Sequence, residues 1–192
     1  MPDPNPTALD FLLTRRSHPA RTLRPPLPDP GQMRQILTAA LRVPDHGKLE
    51  PWRLVVFERA ALRRIAADVA ARGPVLEIEP ERVAKAVTQY AEADLAVLVA
   101  AVPRPTDRIP AIEQTLSAGA VCLSLVNAAL AAGFGANWLT GWPVYDHVLL
   151  QGTFGLAPGE WVAGIIHLGT AAGTPADRPR PDTEMLVTWV RD

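Results

Sequence analysis

The chain has 192 residues, 48% of them hydrophobic and 20% charged, with a net charge of −1. That size and composition describe an ordinary globular protein, read as one domain over 1–192. Near-neutral charge without a basic run argues against nucleic acid or an anionic membrane as the main partner, and a single cysteine, Cys122, leaves no internal disulfide and no cysteine-based metal site.

The N-terminal MPDPNPTALD is acidic and proline-rich, unlike a signal or transit peptide, so a cytoplasmic protein is expected. Thr7 to Thr14 reads as a short helix, with Leu9, Leu12 and Leu13 on one face and Asn5 or Thr7 as cap. After a proline-crowded stretch, Asp29-Pro30 starts a second helix that carries Met33, Ile36, Leu37, Ala40 and Leu41 and ends near Arg42. Trp52 to Phe57 is β-branched and aromatic, a strand. Arg59 to Ala71 is an alanine-rich helix stopped by Arg72-Gly73-Pro74, and Glu79 to Ala91 is a more polar helix, solvated on one side. Leu95 to Val102 is a continuous apolar run of strand length, which predicts a strand covered on both faces.

The stretch from Ala111 to Gly135 then dominates the chain. Only Glu113 is charged, and apolar or small side chains occur on every face. A helix of that kind is buried all round, in a core or a bilayer. Its length approaches the membrane threshold, but its alanine, glycine and serine content suits close packing in a core, shared with a second subunit. Ala136 to Leu139 follows as a short strand, Pro143 to Gln151 as a helix, and Trp161 to Leu168 as another strand. Residues 171–182 form a loop, and Met185 to Val190 is apolar and strand-like. Strands interleaved with helices predict an α+β or α/β domain.

Catalytic signatures are mostly missing. The chain has no phosphate loop, no complete G-x-G-x-x-G, no G-x-S-x-G elbow and no paired-histidine zinc motif, and His18, His46, His147 and His167 are scattered. Two stretches carry unusual chemistry. Arg15-Arg16-Ser17 ends the first helix with two guanidinium groups and a hydroxyl, a set suited to a phosphate, although a basic pair is more often solvated surface. The loop from Arg42 to Arg53 concentrates donors, a glycine, two prolines and Trp52 in one connector, and its plainer reading is a rigid loop capping the core.

"RRS" at the helix end, "PDHGKLEPWR" before the long strand, "SAGAVCLSLVNAALAAGFGANWLTG" and "GIIHLGT" come in this order. Together they resemble the nitroreductase family of FMN-dependent oxidoreductases, in its compact bacterial branch, over nearly the whole chain. The resemblance implies an α+β fold with a central, mostly antiparallel sheet flanked by helices. It also implies a homodimer that exchanges its C-terminal strand, with FMN at the interface. Arg15, Arg16 and Ser17 would hold the phosphate, ribityl chain and pyrimidine edge. Arg42 and His46 match positions that contact FMN, His46 from across the dimer. Trp138, Leu139 and Thr140 match a segment along the isoalloxazine, and Gly141 the place where a main-chain N–H approaches the reactive nitrogen. Arg178 and Arg180 are further candidates for the phosphate.

The implied activity is electron transfer from NAD(P)H to nitroaromatic, quinone or similar electron-poor acceptors by a ping-pong mechanism, with no catalytic side chain. A shallow substrate space walled by Trp138, Leu139 and Trp142 is expected, because the helical excursion of larger members is absent. The alternatives are an FMN-binding protein that stores or senses the cofactor without turnover, and an enzyme of the same fold with other redox chemistry.

Overall fold

The computed structural model describes residues 5–191. Strand β3 (Leu95–Ala101) is buried along its whole length. Hidden on both faces, it needs apolar cover on each, and the two-residue period sorts its side chains. Ala96, Leu98 and Ala100 pack with Leu62, Ile65 and Val69 of α3 (Arg59–Val75), Tyr90 of α4 (Pro80–Ala91) and Leu149 of α6 (His147–Gly152). Leu95, Val97 and Val99 join the opposite cluster, with Ile36 of α2 (Pro30–Ala40) and Val121, Leu125 and Val126 of α5 (Ala111–Ala131).

All strand pairings are antiparallel. β3 lies between β2 (Trp52–Glu58) and β5 (Trp161–Ala171). β5 also pairs with β4 (Gly135–Leu139) and, at its end, with the two-residue β1 (Leu23–Arg24). Opposite Val99 and Ala100 stand Gly164 and Val162, so Ala163 is an extra residue on β5. This bulge lets Val162 and Ile165, three residues apart, reach the same cluster.

The expected helix starts are present. Asn5 caps α1 (Pro6–Thr14), and Asp29 and Gln32 close a capping box on α2. α5 buries Ser117, Val121, Cys122 and Leu125 against the sheet, and the buried Ser117 is satisfied: its hydroxyl donates to the Pro44 carbonyl at 2.7 Å and accepts from the Trp52 indole at 3.1 Å. It is not buried all round within one chain, however. Ile112, Leu116 and Leu123, on one helical face, are exposed, Leu116 by 64%. Among the described residues α5 is the one helix long and apolar enough to cross a membrane, and it packs instead on β3, β4 and β5.

Three elements differ from the sequence reading. α3 does not stop at Ala71 but runs through Gly73 and Pro74 to Val75. Val83 of α4 packs so closely on Gly73 that a Cβ there would overlap it, and this helix–helix contact outweighs the local breaker. The helix expected over Pro143 to Gln151 is split into a 3₁₀ turn at Trp142–Tyr145 and α6. The Asp146 carboxylate causes the break, because it caps α6 through the Leu149 N–H at 3.0 Å and pairs with Arg72 at 2.9 and 3.1 Å. Met185 to Val190 is not a strand in the single chain. A turn of helix, α7 (Thr183–Leu186), is capped by Asp182, and residues 187–191 pair with no strand among the described residues. Met185 and Trp189 are left 81% and 73% exposed.

Candidate cofactor site

Where α1 ends, Arg15 turns to extended geometry (φ −54°, ψ 142°) and leads the chain across to β4. His18 ties it there: its N–H donates to the Ala136 carbonyl at 3.0 Å, and its carbonyl accepts from the Asn137 amide at 2.7 Å. Arg15, Arg16, Ser17, Asn137 and Trp138 thereby line one cavity of about 540 Å³, and the C-terminal loop brings Arg178 and Arg180 into it.

Four guanidinium groups in one cavity repel each other, and the groups around them do not satisfy them all. Arg15 donates to the Ser17 hydroxyl at 3.2 Å, but its buried Nε has no partner among the described residues. Burial, followed by the charges of Arg180 and Arg16, lowers the Arg15 pKa. Such crowding of cations is relieved by an anion that accepts several charge-assisted bonds at once, as a phosphate does. The residues present therefore fit a phosphorylated cofactor.

β4 sets what lies beside this cradle. It pairs on one side only, with β5. The Ala136 carbonyl already faces the other edge, so Trp138 and Thr140, of the same parity, also turn their main-chain groups to that open edge. Side chains alternate across the strand. Asn137 and Leu139 face α4, where with Thr140, Arg21, Lys85, Gln89 and Glu92 they line a second cavity of about 540 Å³. This cavity adjoins the cradle, since Pro19 and Asn137 line both. Trp138 faces α5. Its indole donates to the Ala163 carbonyl at 3.2 Å and covers Gly164 so closely that a Cβ at that position would overlap the ring. On this flank Trp138, Trp161 and Ala163 form an apolar groove with Leu116, Gly119, Ala120 and Leu123 of α5.

The structure thus gathers Arg15, Arg16, Ser17 and Trp138 with Arg178 and Arg180, and sets Leu139 and Thr140 in the adjoining cavity. Arg42 and His46 line neither of these two cavities. Both are exposed, and His46 Nδ1 lies 2.6 Å from a carboxylate oxygen of Glu113 at the start of α5. Gly141 is fully extended and leads into the 3₁₀ turn, where its carbonyl accepts from the Val144 N–H at 3.2 Å. Trp142 does not wall the site but packs on the α3 and α6 side of the core.

Sequence reasoning missed Arg21, Lys85, Gln89 and Asn137. Lys85, Thr88, Gln89 and Glu92 recur at i, i+3, i+4 and i+7, a polar helical stripe that is indistinguishable from a solvated face until β4 is seen opposite it. Behind Gln89 lies His167, only 1% exposed, with its Nε2 3.4 Å from the Gln89 amide nitrogen. Burial pushes the His167 pKa down to about 4, so the ring is neutral at physiological pH.

An antiparallel α+β core with an arginine cradle at the open edge of its sheet defines a class, proteins that hold a phosphorylated cofactor beside a strand. The chain belongs to the nitroreductase family, whose model matches residues 12–170. This is a family of FMN-dependent oxidoreductases that take electrons from NAD(P)H, and the chain is an enzyme of that kind. It is 30% identical over 177 residues to the Escherichia coli (strain K12) protein described as "Putative NAD(P)H nitroreductase YdjA", covering 91% of this chain and 95% of that protein. It is 32% identical over 185 residues to a Haemophilus influenzae protein described as "Putative NAD(P)H nitroreductase", covering 95% and 99%. Among solved structures, a nitroreductase-like family protein from Bacillus cereus shares the fold with a TM-score of 0.75 at 21% identity, covering 99% of this chain and 98% of that one. A structure from Desulfovibrio desulfuricans, described as a "putative nitroreductase in complex with fmn", shares it with a TM-score of 0.72 at 23% identity, covering 99% and 100%.

Proposed function

We propose that this single-domain, cytoplasmic protein transfers electrons from NAD(P)H to nitroaromatic, quinone or similar electron-poor acceptors in two successive half-reactions. The observation that carries the reading is the cradle, where Arg15 keeps an unpartnered buried Nε among like charges. Arg15, Arg16 and Ser17, with Arg178 and Arg180, would hold the FMN phosphate. The adjoining cavity supplies donors at Arg21, Lys85, Gln89 and Asn137 for the polar edge of the ring system, and Leu139 an apolar contact. Bound FMN would supply the hydride chemistry. The chain's own part is to position it, to present cations and main-chain N–H groups where negative charge develops, and to exclude water with Trp138. No side chain is needed as acid or base.

The working unit of this reading is a homodimer. The exposed apolar stripe of α5 is the natural core of the interface, and Leu9, Leu12 and Leu13 of α1 are also uncovered. The unpaired tail Met185 to Val190 would cross to the partner and add a strand beside β2. There Leu27, Met33, Leu37, Leu41 and Val56 line an apolar groove of about 880 Å³ next to the sheet edge. Arg42 and His46, which line neither cavity of the site in their own chain, would reach the partner's flavin.

The purified protein should show flavin absorbance, and anaerobic NADH or NADPH should bleach it and a quinone restore it. A tightly held flavin that neither nucleotide bleaches within minutes would favour a storage or sensing protein instead.

A further inference from the structure

Asp177 does not line the cradle, but it reaches two of the arginines that do. Its Oδ1 accepts from Arg16 Nη1 at 3.0 Å, from Arg180 Nη2 at 3.2 Å and from the Arg178 main-chain N–H at 2.8 Å. Three donors converging on one anionic oxygen is the arrangement that a phosphate oxygen would use. We propose that Asp177 is a specificity-determining residue, an internal carboxylate that ties up two of the cradle's arginines and must yield them to the phosphate of the incoming cofactor. The inference rests on the phosphate reading of the cradle given above.

The charges make the contest unequal. A carboxylate brings one negative charge and two oxygens, whereas a phosphate monoester brings about −1.5 to −2 and three oxygens. Asp177 itself is 75% exposed at its side chain, so its hold is loose. It also leaves Arg15 untouched, with Nε unpartnered and Ser17 as its one hydrogen-bond partner among the described residues. A phosphate thus has a free anchor at Arg15 and Ser17, and from there it can take Arg16 and Arg180 from Asp177. A monoanion such as chloride or acetate matches Asp177 in charge and gains nothing by replacing it. The main-chain N–H of Arg178, then Arg180 and Arg16, hold the Asp177 pKa below the usual carboxylate range, so the competitor stays ionised at neutral pH. Asp177 therefore costs some affinity and filters out weaker anions.

Asp177→Asn and Asp177→Ala test this on the flavin-stripped full chain, by calorimetric titration with FMN, riboflavin and inorganic phosphate, each with and without acetate. Both variants should bind FMN and phosphate roughly two- to five-fold tighter, the range for releasing an exposed ion pair, with riboflavin unchanged. Acetate should compete with FMN in the variants and not in the parent. Unchanged or weaker FMN and phosphate binding in both variants would overturn the proposal, since Asp177 would then be a bystander or would hold Arg16 and Arg180 in place for the ligand. Phosphate that tightens in the variants of a protein that takes up no FMN would leave this inference standing and remove the flavin reading. Failure of any anion to bind would remove both.

Discussion

The two flanks of β4 are incomplete in opposite ways. On the open-edge side the Arg15, Arg16, Arg178 and Arg180 cluster has charge without enough partners. On the α5 side Leu116, Leu123 and Trp138 have apolar area without cover. Unmet charge is relieved by a small, doubly charged ligand with several acceptors. Unmet area is relieved only by an extensive surface, such as another protein face or a flat ring. One strand thus separates a site that asks for a phosphate from one that asks for a partner, and each should fail independently.

The strongest break should come on the apolar flank. Leu116→Glu places a carboxylate in the middle of the α5 stripe, where burying it unpaired would cost several kcal/mol, of the order that disrupts an interface. Sedimentation should show the parent as a dimer and the variant as a folded monomer. A variant that remained dimeric would mean that the stripe faces solvent.

On the charged flank, Arg15→Ala or Arg16→Ala should each weaken FMN binding by about 1.5–3 kcal/mol, the value of a charge-assisted bond. Riboflavin, which has no phosphate, should bind the parent and the variants alike. Equal losses for both ligands would place the arginines away from the phosphate.

The strand paired with β4 should report on pH, through His167 opposite Asn137. Unfolded His167 takes its proton near 6.5, whereas the buried ring does so only near 4. Between those values the unfolded chain binds more protons, so stability should be complete above about 6.5 and fall as the pH drops towards 4. Thermal unfolding of the parent and of His167→Leu across that window should show the smaller acid loss in the variant. The same acid slope in both would assign the loss to other groups.

Gly164→Ala should be a milder disturbance, about 1–3 kcal/mol, because the new methyl would displace the Trp138 indole. Indole fluorescence should report that movement. Ser17→Ala should be smallest, about 1 kcal/mol of FMN affinity for a neutral hydrogen bond.

Much of this molecule is legible from local pattern. The uninterrupted run Leu95 to Val102 predicts a strand covered on both faces, and β3 is one, because continuous apolar sequence of that length leaves no face for water. Asp29-Pro30 predicts the start of α2, since cap and first-turn proline act within four residues. Arg15-Arg16-Ser17 is visible as a candidate anion site because its donors are adjacent in the chain. Tertiary structure alone decided what depends on distant neighbours. The cradle is completed by Arg178 and Arg180 and the adjoining cavity by Lys85 and Gln89, positions that only the packing of the C-terminal loop and α4 around β4 can bring near Arg15. Asp146 splits a helix because Arg72, far off in sequence, holds its carboxylate. The tail Met185 to Val190 carries a strand's composition yet forms none in its own chain, because a strand exists only through main-chain bonds to a neighbouring edge, and the tail meets no such edge in its own chain.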